Sequence, residues 1–327
     1  MALPKTFALN TGASIPAVGL GTWKSEPGKV GESVTAALEA GYRHIDCAAV
    51  YGNEKEVGEA LAAAFKKGTV NRHEIWVTSK LWSTEQGPGR VEPALKKTLG
   101  DLQLEYLDLY LIHIPVRLAP DSPFPAKPEH AQEFDIDMTW KQMEEVLKKG
   151  MTKAIGVSNM TQKKLNDVLS LKRTVPAVNQ VELHPLWPQD DLLNLCKSKG
   201  IHVTAYSPLG SADRPRANGV PEPPVLLDTD VVKKVAEKTK KSPGQVVLRW
   251  GIQRGTSVLP KSTNPDRIKQ NLDVLDWELS DEDMKALSGI EPKVRILDFK
   301  GMWAGEGCAV ETVHKFWDGE VTTPADY

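Results

Sequence analysis

The stretch HIDCAAVYGNE, residues 44–54, places an acid, Asp46, at the end of a short apolar run and a tyrosine, Tyr51, in the turn that follows. A buried carboxylate is costly unless paired, so Asp46 requires a partner or a task. Two more polar residues end later apolar runs in the same manner. Lys80 closes IWVTSK (75–80), and His113 lies near the end of DLYLIHI (108–114). The four suit proton donation to a carbonyl oxygen. A tyrosine with a pKa of about 10 keeps its proton at neutral pH, and a neighbouring ammonium favours the phenolate. Lys80 is therefore expected to lower the Tyr51 pKa, and Asp46 to hold Lys80 and offset its burial. A neutral His113 would donate a hydrogen bond to the same oxygen and orient it. Singly, each has an ordinary structural explanation, such as a helix cap or a satisfied core histidine. Their shared place at strand ends argues for chemistry.

Metal-assisted hydrolysis would use some of the same residues. His44 and Asp46 form a His-x-Asp at a strand end, joined by Lys80 and His113, as in barrel hydrolases. Such shells need further histidines at the ends of later strands, and only His184, just past the sixth, could contribute. No metal is expected.

These residues require a scaffold that presents strand ends on one face. The strand candidates are AVGLG (17–21), HIDC (44–47), IWVTSK (75–80), DLYLIHI (108–114), AIGVSN (154–159), VNQVEL (178–183), HVTAYSP (202–208) and SVLPK (257–261). Between them lie amphipathic segments, among them NEKEVGEALAAAFKKG, WKQMEEVLKKG and NPDRIKQNLDVLD, several closed by glycine. Alternation of strand and helix predicts a parallel sheet, and eight units predict a (β/α)8 TIM barrel spanning 1–327 as a single domain. A doubly wound dinucleotide fold is disfavoured because GLGTWK places Lys24 where its third glycine belongs. Long connections at 115–138 and 209–226 follow strands, so they fall on the face where barrel sites lie. The glycine-rich, aromatic tail, 297–327, is expected to border the substrate pocket.

Bulk properties exclude several classes. A net charge of −2 gives no reason to expect nucleic acid or an anionic membrane as partner. No run of about 18 apolar residues is present to span a bilayer. The three cysteines, Cys47, Cys196 and Cys308, are odd in number and scattered, which points to a reducing compartment, read as the cytoplasm.

After the eighth strand comes LPKSTNPDRIKQN (259–271). Asn264 is a good N-cap with Pro265 at the first helical position. Lys261, Ser262 and Arg267 surround this helix start, where free N–H groups and two cations suit a phosphate. Asp266 would have to point away.

The motifs VGLGTW, GYRHIDCA, YGNEKEVG, TSKLW, LDLYLIH, IGVSN, NQVELHP, AYSPLGS and LPKSTNPDRIKQNLDV run over nearly the whole chain. With these in hand the sequence resembles the aldo-keto reductase superfamily, its plant branch most closely. The resemblance implies a monomeric reductase of aldehydes and ketones that uses NADPH/NADP+, with a tetrad on Asp46, Tyr51, Lys80 and His113. It implies that Ser158, Asn159 and Gln180 hold the nicotinamide carboxamide and that Tyr206 stacks on its ring. Thr22, Trp23 and Asp46 would also line the cofactor, with Ser207, Leu209 and Ser211 along the pyrophosphate. Lys261, Ser262, Thr263 and Arg267 would take the adenosine 2′-phosphate, with Gln270 and Asn271 near the adenine. Trp23, Tyr51, Trp82, His113, Ile114 and Trp303 would meet the carbonyl substrate. Where many relatives have LIHWP this chain has LIHIP, so Ile114 removes an aromatic wall and should alter substrate shape preference. The resemblance also leaves room for a non-catalytic NADPH-binding protein on the same fold.

Overall fold

The computed structural model describes residues 5–26, 28–211 and 224–321. The end of the chain beyond 321 and most of the 209–226 connection therefore lie outside the described residues. Eight short, buried runs form a parallel sheet: β1 (Leu20–Gly21), β2 (His44–Asp46), β3 (Trp76–Leu81), β4 (Leu109–Ile112), β5 (Ile155–Ser158), β6 (Val178–Glu182), β7 (His202–Tyr206) and β8 (Ser257–Leu259). Each pairs with the next in chain order, from Leu20 opposite Ile45 to Tyr206 opposite Leu259. A parallel bridge between Val18 and Val258 closes the ring, with Gly19 N–H donating to Val258 O at 2.9 Å. The expected (β/α)8 barrel is present, and each predicted strand overlaps an observed one, seven containing it and the third ending one residue short, at Lys80 rather than Leu81.

The helices that cover the sheet are α1 (Val30–Ala40), α2 (Glu54–Lys67), α3 (Val91–Leu102), α4 (Ile136–Lys148), α5 (Gln162–Ser170), α6 (Asp190–Ser198), α7 (Asp230–Thr239), α8 (Pro243–Gln253), α9 (Pro265–Leu272), α10 (Asp281–Ser288) and α11 (Val313–Phe316). Their starts follow capping chemistry: Asp135, Thr161, Thr229, Ser242, Asn264 and Ser280 each accept a backbone N–H from the first turn. Helices α2 and α3 pack closely at Gly58, where a Cβ would run into the backbone of Asp101 and Leu102.

Besides a short antiparallel pair in the connection after β4, Arg117–Leu118 with Ala131–Gln132, two features close the ends of the barrel. An antiparallel hairpin, Thr6–Ala8 with Ser14–Pro16, packs Leu9 and Ile15 against Trp76, Leu109, Leu111 and Val178 at the strand starts, plugging that end of the barrel. At the opposite end the chain after α10 returns across the mouth. Its own aromatic core joins Trp303, Phe316 and Trp317 to Ile114 and Leu118.

Candidate active site

Strands β2, β3 and β4 deliver Asp46, Lys80 and His113 to the mouth of the barrel, and the turn after β2 carries Tyr51. Lys80 has a fully buried side chain, and all three N–H donors of its ammonium are used. They go to Asp46 Oδ1 at 2.5 Å, Cys47 O at 2.8 Å and the Tyr51 hydroxyl at 3.3 Å. Across the barrel, Gln180 Nε2 donates to Asp46 Oδ2 at 2.7 Å, so both carboxylate oxygens are satisfied. From β1, Thr22 Oγ1 donates to Asp46 O at 2.8 Å, and Asn53 Nδ2 reaches Thr22 O at 2.9 Å. The Tyr51 turn is thereby tied to the strands on either side of it.

Burial works to lower the Lys80 pKa, but Asp46 and Tyr51 outweigh it and the net shift is upward, so the ammonium stays charged. For Tyr51 the expected direction is reversed. Burial pushes its phenol up to about 12, and the opposing pull of Lys80 only reduces that rise. The neighbour was legible in the sequence; the depth of desolvation was not. His113 is held well below its ordinary value, by burial first and by Lys80 second, so its ring is neutral. It meets Tyr51 edge-on with ring centres 5.8 Å apart.

These groups open into a cleft of about 530 Å³ that runs from Trp303 to Arg267. At one end Trp82, Phe124 and Trp303 stand in mutual contact, 5.2–5.3 Å between ring centres. Trp23 packs on Tyr51 at 4.9 Å. At the other end Lys261, Ser262, Thr263 and Arg267 line the wall beside α9. Asn264 accepts from Arg267 N–H at 3.0 Å, and Ser262 Oγ accepts from Asn264 N–H at 3.1 Å. Among the described residues neither Lys261 nor Arg267 has an ion pair. Lys24, Asn159, Ser207 and Ser211, all on the cleft wall, hold left-handed φ between 41° and 59°. Such strain in non-glycine residues collects at functional sites.

The aldo/keto reductase family matches residues 17–292. The chain belongs to that family. It is 48% identical over 315 residues to aldo-keto reductase family 4 member C11 of Arabidopsis thaliana, covering 96% of this chain and 98% of that protein. It is 50% identical over 294 residues to aldo-keto reductase family 1 member A1 of Mus musculus, covering 88% and 90%. Among solved structures, the aldose reductase from Schistosoma japonicum superposes with a TM-score of 0.81 at 40% identity, covering 94% of this chain and 98% of that one. The protein is an oxidoreductase of the carbonyl-reducing kind.

As an aldo/keto reductase it brings most of the expected residues to one cleft. Ser158, Asn159, Gln180, Tyr206, Ser207, Leu209 and Ser211 line it, together with Thr22, Ile114 and the tetrad members Asp46, Tyr51 and His113. Asn159 ties this group together. Its Nδ2 donates to His113 O at 2.9 Å and its Oδ1 accepts from the Tyr206 hydroxyl at 2.6 Å, fixing the plane of that ring. Ser158 Oγ donates to Gln180 O at 2.8 Å. Gln270 and Asn271 do not line the cleft: the turn of α9 leaves Gln270 in solvent and buries Asn271 near Gly244 of α8. The residues named for a metal shell are engaged otherwise, His44 with Thr78 at 3.1 Å and His184 with Glu182 at 2.8 Å.

Sequence reasoning did not name Lys24, Val50 or Phe124 on the cleft wall, and of the tail expected to border the pocket it named Trp303 but not Leu297, Phe299 or Met302. Phe124 is the single aromatic residue in DSPFPAKP, in a proline-rich connection after a barrel strand, and that setting was the available signal.

Proposed function

We propose that this aldo/keto reductase converts aldehydes and ketones to alcohols with NADPH as reductant and Tyr51 as proton donor. The observation that carries the reading is the Tyr51 hydroxyl, 3.3 Å from the buried Lys80 ammonium on the wall of a cleft that NADPH and a small carbonyl could share. The chemistry of the wall suits this cofactor. Two cations without ion pairs at a capped helix start fit a 2′-phosphate, which favours NADPH over NADH. When bound, NADPH supplies the hydride for the carbonyl carbon.

The chain's own residues then govern the oxygen. His113, neutral, donates a hydrogen bond that orients the carbonyl. Tyr51 keeps its proton at neutral pH and gives it up only as negative charge develops on that oxygen. Lys80 stabilises the phenolate left behind, and Asp46 with Gln180 holds Lys80 against it. Three buried, free thiols support a reducing compartment, and a cytoplasmic monomer is the state expected of it. Among the described residues no helix is long and apolar enough to cross a membrane.

The test is NADPH consumption across sugar, aromatic, aliphatic and steroid carbonyls, with Tyr51→Phe alongside. Turnover by the native chain should fall by about 10²–10⁴-fold in the variant, with the NADPH Kd from fluorescence titration unchanged. Tight NADPH binding with no turnover of any carbonyl would instead favour a cofactor-binding protein.

A further inference from the structure

Glu182, the last residue of β6, has a side chain without solvent exposure, yet no step of carbonyl reduction employs it. Side chains alternate along a strand, so Glu182 faces the same side as Gln180, which enters the tetrad network. Its carboxylate turns to a different part of the chain. Oε1 accepts from Ile296 N–H at 2.7 Å and from His184 Nε2 at 2.8 Å, and Oε2 accepts from Leu297 N–H at 2.9 Å. A fully buried carboxylate is costly unless each oxygen is satisfied, and hydrogen bonds to a charged acceptor are stronger than neutral ones.

The bonds fall where the returning C-terminal segment first meets the cleft. Just before them Val294 N–H donates to Leu186 O at 2.7 Å, and just after them Trp317 Nε1 donates to Asp298 O at 2.8 Å. Arg295, beside this anchor, lies 3.6 Å above the Trp317 ring. Between these fixed points Leu297 enters the cleft wall, followed by Phe299, Met302 and Trp303. None of these four belongs to the repeating strand–helix units, so their place depends on how the segment is tied down.

We infer that Glu182 is a positioning residue for substrate selectivity: its carboxylate sets the register of residues 296–303 and hence the width of the substrate end. The inference rests on the proposed carbonyl reduction. A glutamine at 182 keeps the volume but presents an amide N–H₂ to donors that need an acceptor, so one of the three bonds is lost and the wall relaxes. A small aldehyde reaches only Tyr51 and His113 and is indifferent to that wall. A two-ring aromatic ketone is not.

The experiment compares Glu182→Gln with the native chain on propanal and on a two-ring aromatic ketone. Losing one charge-assisted hydrogen bond predicts a rise of about tenfold or more in KM for the ketone. The kcat for both substrates, kcat/KM for propanal and the NADPH Kd should stay within about twofold, the size of an ordinary surface effect. Equal losses for both substrates, or no change in either, would overturn the assignment. Should Glu182→Gln fail to fold, Leu297→Ala keeps the anchor and trims the wall it holds, and an unchanged ketone-to-propanal ratio there would also overturn it. Quenching of tryptophan fluorescence by the ketone reads the same difference as binding. The inference thus fails or stands separately from the proposed reduction, which fails if the native chain turns over neither substrate.

Discussion

Gln180 and Asp46, 134 residues apart in the chain, are joined across the barrel mouth by a 2.7 Å hydrogen bond from Nε2 to Oδ2. Asp46 is thereby shared between Gln180 and Lys80, and its charge is compensated from both sides of the mouth. The pair accounts for the ability of Lys80 to sit buried with its ammonium intact.

Asp46→Asn should leave that ammonium without its counter-charge. Removing one partner of a buried pair typically costs about 3–5 kcal/mol. The urea unfolding midpoint should fall accordingly, and turnover with it. An unaltered midpoint would mean that the Cys47 carbonyl and Tyr51 alone hold the charge.

At the other end of the cleft, Lys261→Ala and Arg267→Ala should each weaken NADPH by about tenfold or more, the loss of one hydrogen bond between a charged donor and a phosphate. NADH, with no 2′-phosphate, should bind as before. Calorimetric titration of both cofactors into both variants decides it, and a parallel loss for NADH would place the phosphate elsewhere.

Ile114→Trp should raise kcat/KM for small aromatic aldehydes relative to bulky ketones. Ile114 is nearly fully buried in a cluster with Leu118, Ala126 and Trp303, so the larger ring also costs about 1–3 kcal/mol of stability through overpacking. An unchanged substrate ratio would show that Trp82, Phe124 and Trp303 already supply the aromatic wall that the isoleucine was expected to remove.

Acid stability carries a fourth expectation. Burial lowers His44 to about 3, with Lys80 assisting, and lowers His202 to about 4. These rings bind protons in the unfolded chain near their ordinary value of about 6.5 but resist them when folded. Folded stability from them is therefore complete above pH of about 6.5 and lost at about 1.4 kcal/mol per unit for each ring as pH falls, toward about 4 for His202 and about 3 for His44. Urea midpoints at pH 7 and pH 5 should differ in that direction. Ring signals of His44 and His202 that titrate near 6.5 in the native state would contradict it.

Much of this was open to reading from the chain alone. The barrel strands are short β-branched runs punctuated by glycine-stopped helices, and Asp46, Lys80 and His113 stand out because three successive strands end at or beside an ionisable residue. Helix α8 was harder: from Gln245 to Ile252 it is buried on all sides, so it lacks the 3.6-residue polar stripe that marks the others, and only its Ser242–Pro243 start with Gln245 betrays it. The plug hairpin has strands of three residues, too brief for a period-two pattern. Phe124 and Leu297 reach the cleft through the course of long irregular segments, and the direction of the Tyr51 shift depends on packing depth. Neither is written in local spacing.

The C-terminal segment anchored on Glu182 separates two kinds of information along the chain. Asp46, Tyr51, Lys80 and His113 are all encoded by residue 113, whereas Leu297, Phe299, Met302 and Trp303 come from beyond residue 296. A growing chain therefore carries the buried Asp46–Lys80–Tyr51 network long before the segment that lines the aromatic end of its cleft. The same division lets this segment vary as a unit, so that the shape of the cleft can change while Tyr51 and its buried partners are left alone.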